Sequence, residues 1–270
     1  MRALVEDGHE VRLVVTRADK RRGRGGALMP SPVKAAAQEL GLTVTDQVDD
    51  VIDAGAELGV VVAFGRLIKP HVLAALPMVN VHFSLLPRWR GAAPLERAIL
   101  AGDAETGVCL MELEEGLDTG PVYACERVPI GPEETAAELR ARLVDAGTEL
   151  LVQALRTGLG TPTPQEGEPT YADKIDPAEH HIDWTRPAVE VHRVVRVGDA
   201  WTTFRGKRLK VLRALLSSNG LAPGAIEGLR VGAGDGALQL VEVQPEGKAA
   251  MPASAWVNGA HPRSDERLGE

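Results

Sequence analysis

The chain has 270 residues, of which 44% are hydrophobic and 25% charged, and it carries a formal net charge of −8; such values belong to a globular protein with room for one large domain or two of moderate size. The negative balance argues against indiscriminate nucleic-acid binding over the whole surface and leaves only local basic patches for that purpose. No run of about 18 apolar residues occurs, so no transmembrane helix is expected.

The chain opens on "RALVEDGHE", which has the pattern of the end of a helix. A doubly wound sheet normally opens on a strand, so a first strand and most of a first helix are expected to be missing from this sequence. The same stretch holds acids and no apolar signal core, so a secretory peptide is not expected. "VRLVVT" (11–16) and "LGVVVAFG" (58–65) are continuous apolar runs suited to strands buried on both faces. Between them lie a basic stretch, "RADKRRGRGG" (17–26), and a helix over 31–41, with Ser31 as N-cap, Pro32 in the first turn and Gly41 at its end. A charge run of this kind is ordinarily a solvated loop.

"MVNVHF" (78–83) is a further buried strand, 93–102 a helix, and 107–114 and 121–130 two more strands. Cys109 and Cys125, the only cysteines, lie in those last two apolar runs and are expected to be packing residues. A disulfide scaffold or cysteine-based zinc site is not expected, and the cytoplasm is the default compartment. Residues 132–158 form a long amphipathic helix with Leu139, Leu143, Leu150 and Leu151 on its apolar stripe. Strands alternating with helices predict an α/β domain built on a Rossmann-like parallel sheet over 1–158. Residues 159–178 are rich in Pro, Gly and Thr and form a linker. Over 179–270 a short helix (187–198) precedes short strands separated by glycine turns, the pattern of a small β-barrel-like (OB-like) domain. A second basic patch, "FRGKRLKVLR" (204–213), falls in that domain.

Chemistry concentrates in "VNVHFSLLPRWRGAAP" (79–94). Residues two apart in a strand point the same way, so Asn80 and His82 share one face near the strand's carboxyl end, where open parallel sheets hold their ligands. A single buried histidine is more often satisfied within a core. Two polar groups aimed at one spot must both find partners. Asp118, in "EEGLDTGP", lies between Gly116 and Gly120 on a turn able to expose a carboxylate, though an ordinary Asx-turn has the same sequence. Together the three types make an acyl-transfer set without a protein nucleophile. Asn donates to a developing oxyanion, His moves a proton near neutral pH, and Asp orients the imidazole and balances its charge. "GRGGAL" (23–28) lacks the third glycine of a dinucleotide fingerprint, and no metal-ligand spacing, nucleophile elbow or phosphate-binding loop is present.

"VNVHFSLLPRWRGAAPLERAILAGDAETGV" followed by "MELEEGLDTGPV" resembles the signature of the 10-formyltetrahydrofolate-dependent formyltransferases. "RADKRRGRGGALMPSPVK", "PTYADKIDPAEHHIDW" and "GDGALQLVEVQPEGK" resemble segments of the branch that acts on methionyl-tRNA, so the likeness runs from about residue 5 to 269. The resemblance implies a catalytic trio of Asn80, His82 and Asp118, and a folate-binding turn of Ser84, Leu85, Leu86 and Pro87. It implies formyl transfer from 10-formyltetrahydrofolate as co-substrate, without a metal, to the α-amine of initiator methionyl-tRNA. Arg24 matches the family's loop arginine at the acceptor stem. Lys207, Arg208 and Lys210 lie where phosphate contact is expected, and the protein is expected to be a monomer. Two departures stand out: the family's opening strand and its Gly-Thr-Pro loop are absent, and 193–204 is several residues short. Transfer to another amine, of an amino sugar nucleotide or glycinamide ribonucleotide, is one alternative; an inactive tRNA-binding remnant is the other.

Overall fold

The Ser-Pro step expected to start a helix does start one. After α1 (Arg2–Glu6), β1 (Val14–Val15) and the antiparallel pair β2 (Lys20–Arg22) and β3 (Ala27–Met29), helix α2 covers Pro32–Glu39. Ser31 Oγ accepts the Lys34 N–H at 3.0 Å, which satisfies one of the helix's free amides, and Pro32 needs no amide partner there. The computed structural model describes residues 1–22, 26–218 and 220–270. Arg24 therefore lies outside the described residues. The chain divides into two compact units, Met1–Ala92 with Gly107–Val128 and Leu143–Tyr171, and Ala93–Thr106 with Pro129–Arg142 and Ala172–Glu270.

In the first unit β4 (Val44–Thr45) pairs in parallel with β1. Then come, in chain order, β5 (Gly59–Val62), α3 (Pro70–Ala75), β6 (Met78–His82), β7 (Arg90–Gly91), α4 (Pro94–Ala101), β8 (Glu105–Glu112), β9 (Val122–Pro129) and α5 (Ala136–Thr157), of which α4 and the start of α5 up to Arg142 belong to the second unit. β5, β6, β8 and β9 form one sheet in that order, separate from the β1–β4 pair. The expectation of an all-parallel sheet is corrected here. β5 runs parallel to β6, but β8 runs antiparallel to it, with Asn80 opposite Met111 and His82 opposite Cys109. An apolar run buried on both faces carries no mark of direction, so the pattern alone could not distinguish the two. β5 departs in another way. Val60 and Val61 are only half-buried and Val62 is 51% exposed, although the run reads as a core strand.

The two cysteines are also corrected. Cys109 and Cys125, sixteen residues apart, are joined by a disulfide between the neighbouring strands β8 and β9. Cys109 is buried, as its apolar surroundings suggested, but Cys125 is exposed, and no sequence pattern marked which strands lie side by side. All five residues of β6 are buried. A Cβ at Gly147 of α5 would lie 3.0 Å from Val81 and 3.1 Å from Val108, so the helix rests closely on that face. Asn80 and His82, alternating with Val81, point to the other side.

The second unit adds, after the two-residue strand β10 (Tyr171–Ala172), α6 (Ala188–Val197), β11 (Trp201–Phe204), β12 (Lys207–Ser217), β13 (Ile226–Glu227), β14 (Arg230–Gly232), β15 (Ala237–Pro245), β16 (Met251–Pro252) and α7 (Ala253–Ala260). Its sheet runs β11-β12-β15-β14-β13, with β16 also on β15. Val191, Phe204, Leu209, Leu240 and Trp256 share its core. The buried indole of Trp184 is satisfied by the Thr202 hydroxyl at 3.0 Å. Among the described residues no pairing joins β11 to β13, so the expected barrel is an open six-stranded sheet. Among the same residues no helix is long and apolar enough to cross a membrane.

Candidate active site

β6 delivers Asn80 and His82, 9% and 5% exposed, to the mouth of a tight turn. Ser84 Oγ donates to Arg88 O at 2.6 Å and closes that turn around a cis Leu86–Pro87 peptide. The hydroxyl of Ser84, fully buried, is thus spent on building the turn. Leu85 packs where a Cβ on Gly107 would lie 2.4 Å from it, and Leu85, Leu86 and Pro87 are all partly exposed.

His82 Nε2 lies 2.9 Å from Trp89 O. A carbonyl only accepts, so Nε2 carries a proton and Nδ1 is the nitrogen left to face Asp118. Its distance to Asp118 Oδ2 is 3.6 Å, slightly beyond a direct hydrogen bond; catalytic contacts are often this long before substrate binds. Asp118 Oδ2 accepts the Gly91 N–H at 2.8 Å, and Oδ1 stands 3.5 Å from Asn80 Nδ2. The three expected residues therefore converge on one spot, from a strand and a loop 38 residues apart in sequence.

The turn's glycines explain how Asp118 reaches it. A Cβ at Gly120 would lie 2.0 Å from Glu112 O, and one at Gly116 would meet Thr119 Oγ1 at 2.1 Å. Asp118 itself takes a left-handed backbone (φ +50°), a conformation uncommon for a side-chain-bearing residue.

Three residues were not anticipated. Gln165 Nε2 donates to Asp118 O and Gly120 O, both at 2.8 Å, and its Oε1 accepts from Arg90 Nε (3.0 Å) and Arg90 Nη2 (2.7 Å). Thr170 Oγ1 accepts the Trp89 N–H at 2.9 Å. Gln165 and Thr170 fall in the stretch read as a linker, where no periodicity or motif marks them; Arg90 stood in the quoted motif without an assigned role.

In the second unit, Lys207 and Arg208 are exposed on β12. The Arg208 guanidinium lies 4.3 Å from the centre of the Trp201 ring, while Lys210 Nζ is engaged with Asp199 Oδ1 at 2.7 Å. That pairing holds the Asp199 carboxyl below its ordinary range. Two surface cavities, of 540 and 380 Å³, lie away from the trio, and charges already paired internally line them: Asp7 with Arg156, and Asp19 with Lys34.

A family model described as formyl transferase matches residues 1–155, and one described as formyl transferase, C-terminal domain, matches 174–261. A methionyl-tRNA formyltransferase of Symbiobacterium thermophilum is 46% identical over 96% of this chain and 88% of its own length. That of Paracoccus denitrificans is 45% identical over 93% and 90%. Among solved structures, HypX from Aquifex aeolicus in complex with tetrahydrofolic acid superposes with a TM-score of 0.64 at 22% identity, covering 86% of this chain and 47% of that one. An N-formyltransferase from Helicobacter canadensis, in complex with folinic acid and dTDP-3-aminofucose, gives 0.65 at 17% identity, covering 90% and 93%. At such identities these two structures show a shared fold alone.

Proposed function

Since the chain belongs to the formyl transferase family, we propose that it transfers a formyl group from 10-formyltetrahydrofolate to the α-amino group of initiator methionyl-tRNA. The observation that carries this reading is the convergence of Asn80, His82 and Asp118 at the end of β6, in a chain about 45% identical to methionyl-tRNA formyltransferases over more than nine-tenths of its length. Residues 1–158 are the catalytic domain and 159–178 the linker. Residues 179–270 form a tRNA-binding domain built on the open six-stranded sheet. The reaction takes place in the cytoplasm.

In the first step the methionyl nitrogen attacks the formyl carbon and the carbonyl oxygen takes up the electron pair. Asn80 Nδ2 is the side-chain donor positioned to hold that oxyanion, since His82 Nε2 already donates to Trp89 O and Nδ1 faces Asp118. The attacking amine must lose one proton, and N10 of the folate must gain one as the C–N bond breaks. His82 is the group suited to carry it, and Asp118 stabilises the imidazolium meanwhile. The protein then contributes positioning and charge rather than a covalent intermediate. Ser84 shapes the turn from within, and Leu85, Leu86 and Pro87 offer the partly exposed apolar wall for the pterin. For the tRNA, Lys207 and Arg208 are the available phosphate contacts of the second domain, and binding through them weakens with salt. Lys210 joins them only by releasing Asp199. Arg24 is assigned to the acceptor stem.

The test is direct: the purified chain, 10-formyltetrahydrofolate and methionyl-tRNA are mixed and formylmethionyl-tRNA is measured. Turnover supports the reading. Turnover only on an amino sugar nucleotide or glycinamide ribonucleotide would reassign the acceptor, and tRNA binding without transfer would identify an inactive remnant.

A further inference from the structure

We infer that Gln165 is a positioning residue for the Asp118 carboxylate, and that residues 165–170 strap together the two loops that complete the site. This rests on the proposed formyl transfer for its kinetic consequence, and on the hydrogen bonds alone for its structural one. The Gln165 carboxamide uses every hydrogen-bonding position that matters. Both of its N–H groups go to main-chain carbonyls of the Asp118 turn, and its oxygen takes two N–H groups of Arg90. The partners fix its orientation, since carbonyls only accept and a guanidinium only donates.

The consequences reach the trio on both sides. On one side, Gln165 clamps Asp118 O and Gly120 O and so holds a residue whose own backbone is in the sparsely populated left-handed region. Without that clamp the turn is free to relax, and the carboxylate moves away from the Gly91 N–H and from His82. On the other side, Arg90 anchors the loop that carries both Gly91, the donor to Asp118, and Trp89, whose carbonyl accepts from His82. Thr170 adds to the same loop: its Oγ1 accepts from Trp89 N–H, and its main-chain oxygen accepts from Arg90 N–H at 2.8 Å. The strap is itself anchored upstream by a reciprocal pair of main-chain bonds between Thr163 and Val122, each 2.8 Å.

Gln165→Glu is the diagnostic variant. It preserves size and the acceptors for Arg90, but it turns two donors into an oxygen facing two carbonyl oxygens. Gln165→Ala removes the clamp without adding repulsion. In the full chain, both variants are expected to lower kcat for formyl transfer by about 10–100-fold, a loss of the size that misplacing a catalytic group causes. The KM for folate stays within about twofold, since ground-state binding is untouched. Combining Gln165→Glu with Asp118→Asn separates positioning from general destabilisation. If Gln165 acts through Asp118, the double variant is no slower than Asp118→Asn alone; multiplicative losses would overturn the inference. A second readout needs no turnover. Hydrogen exchange at the Gly91 amide, which Asp118 protects, should accelerate at least about tenfold in Gln165→Glu while core amides keep their protection. Unchanged Gly91 exchange would overturn the inference even in a protein that formylates normally, and an inactive wild type would overturn the proposed function while leaving the exchange result to decide this one.

Discussion

Asp118→Asn changes one charge and almost no volume, so it isolates what the carboxylate contributes. Oδ2 stands 3.6 Å from His82 Nδ1, and the two side chains are only 12% and 6% exposed. At an effective dielectric of about 20, unit charges at that separation attract by about 4–5 kcal/mol. On the proposed mechanism, the imidazolium that forms as His82 takes a proton loses this attraction in the variant. At about 1.4 kcal/mol per decade the rate should fall on the order of 10³-fold. The ground state is affected far less, because an Asn oxygen still accepts the Gly91 N–H that Asp118 Oδ2 accepts at 2.8 Å. Initial rates of methionyl-tRNA formylation at saturating substrates would be compared with folate affinity from titration calorimetry. The expected pattern is the full loss in kcat with a folate Kd within about threefold of wild type. A kcat within about tenfold of wild type would refute the electrostatic role assigned to Asp118.

Three further predictions concern stability. Cys125→Ser removes a bridge closing a sixteen-residue separation, which the chain-entropy relation values at about 3 kcal/mol; denaturant melts of variant and oxidised wild type should differ by that order, and coincident melts would show the bridge adds nothing. His192 is buried, its Nε2 faces Ala214 O at 3.1 Å and Glu133 Oε2 at 3.0 Å, and burial pushes its protonation below the usual range, with Arg196 opposing the charge as well. Below about pH 6.5 the unfolded chain takes the proton first, so stability falls with falling pH. His192→Gln, which can still donate to Ala214 O, should flatten that slope in melts from pH 7 to 5, and an unchanged slope would assign it to other groups. Lastly, β5 has half-exposed valines and pairs only with β6 among the described residues. Val62→Thr, which keeps the branched side chain at an exposed position, is therefore expected to change stability by no more than about 0.5 kcal/mol in denaturant melts. A larger loss would mean that Val62 is packed against a partner.

Much of the candidate site could be read from the chain because its signals are local. Asn80 and His82 share a face by the two-residue period of a strand, and Asp118 sits between glycines that permit its turn. Ser31 and Pro32 mark a helix start, and Leu139, Leu143 and Leu151 mark a buried helix face, as the structure has them. Each of these depends on a few neighbouring residues and on backbone geometry that repeats along the element.

The remaining features depend on which distant segments lie side by side, and no periodicity encodes that. The antiparallel direction of β8, the Cys109–Cys125 bridge and the open end of the second sheet all follow from strand pairing. Gln165 is the sharpest instance. In sequence it is one polar residue in a Pro- and Gly-rich stretch; in the fold its carboxamide meets two carbonyls 47 and 45 residues away and a guanidinium 75 residues away. The sequence by itself determined the residue types of the trio and the elements that carry them. Only the tertiary structure decided how the carboxylate is held against the imidazole, because buried polar groups must find partners and the chain meets that demand across segments far apart in sequence.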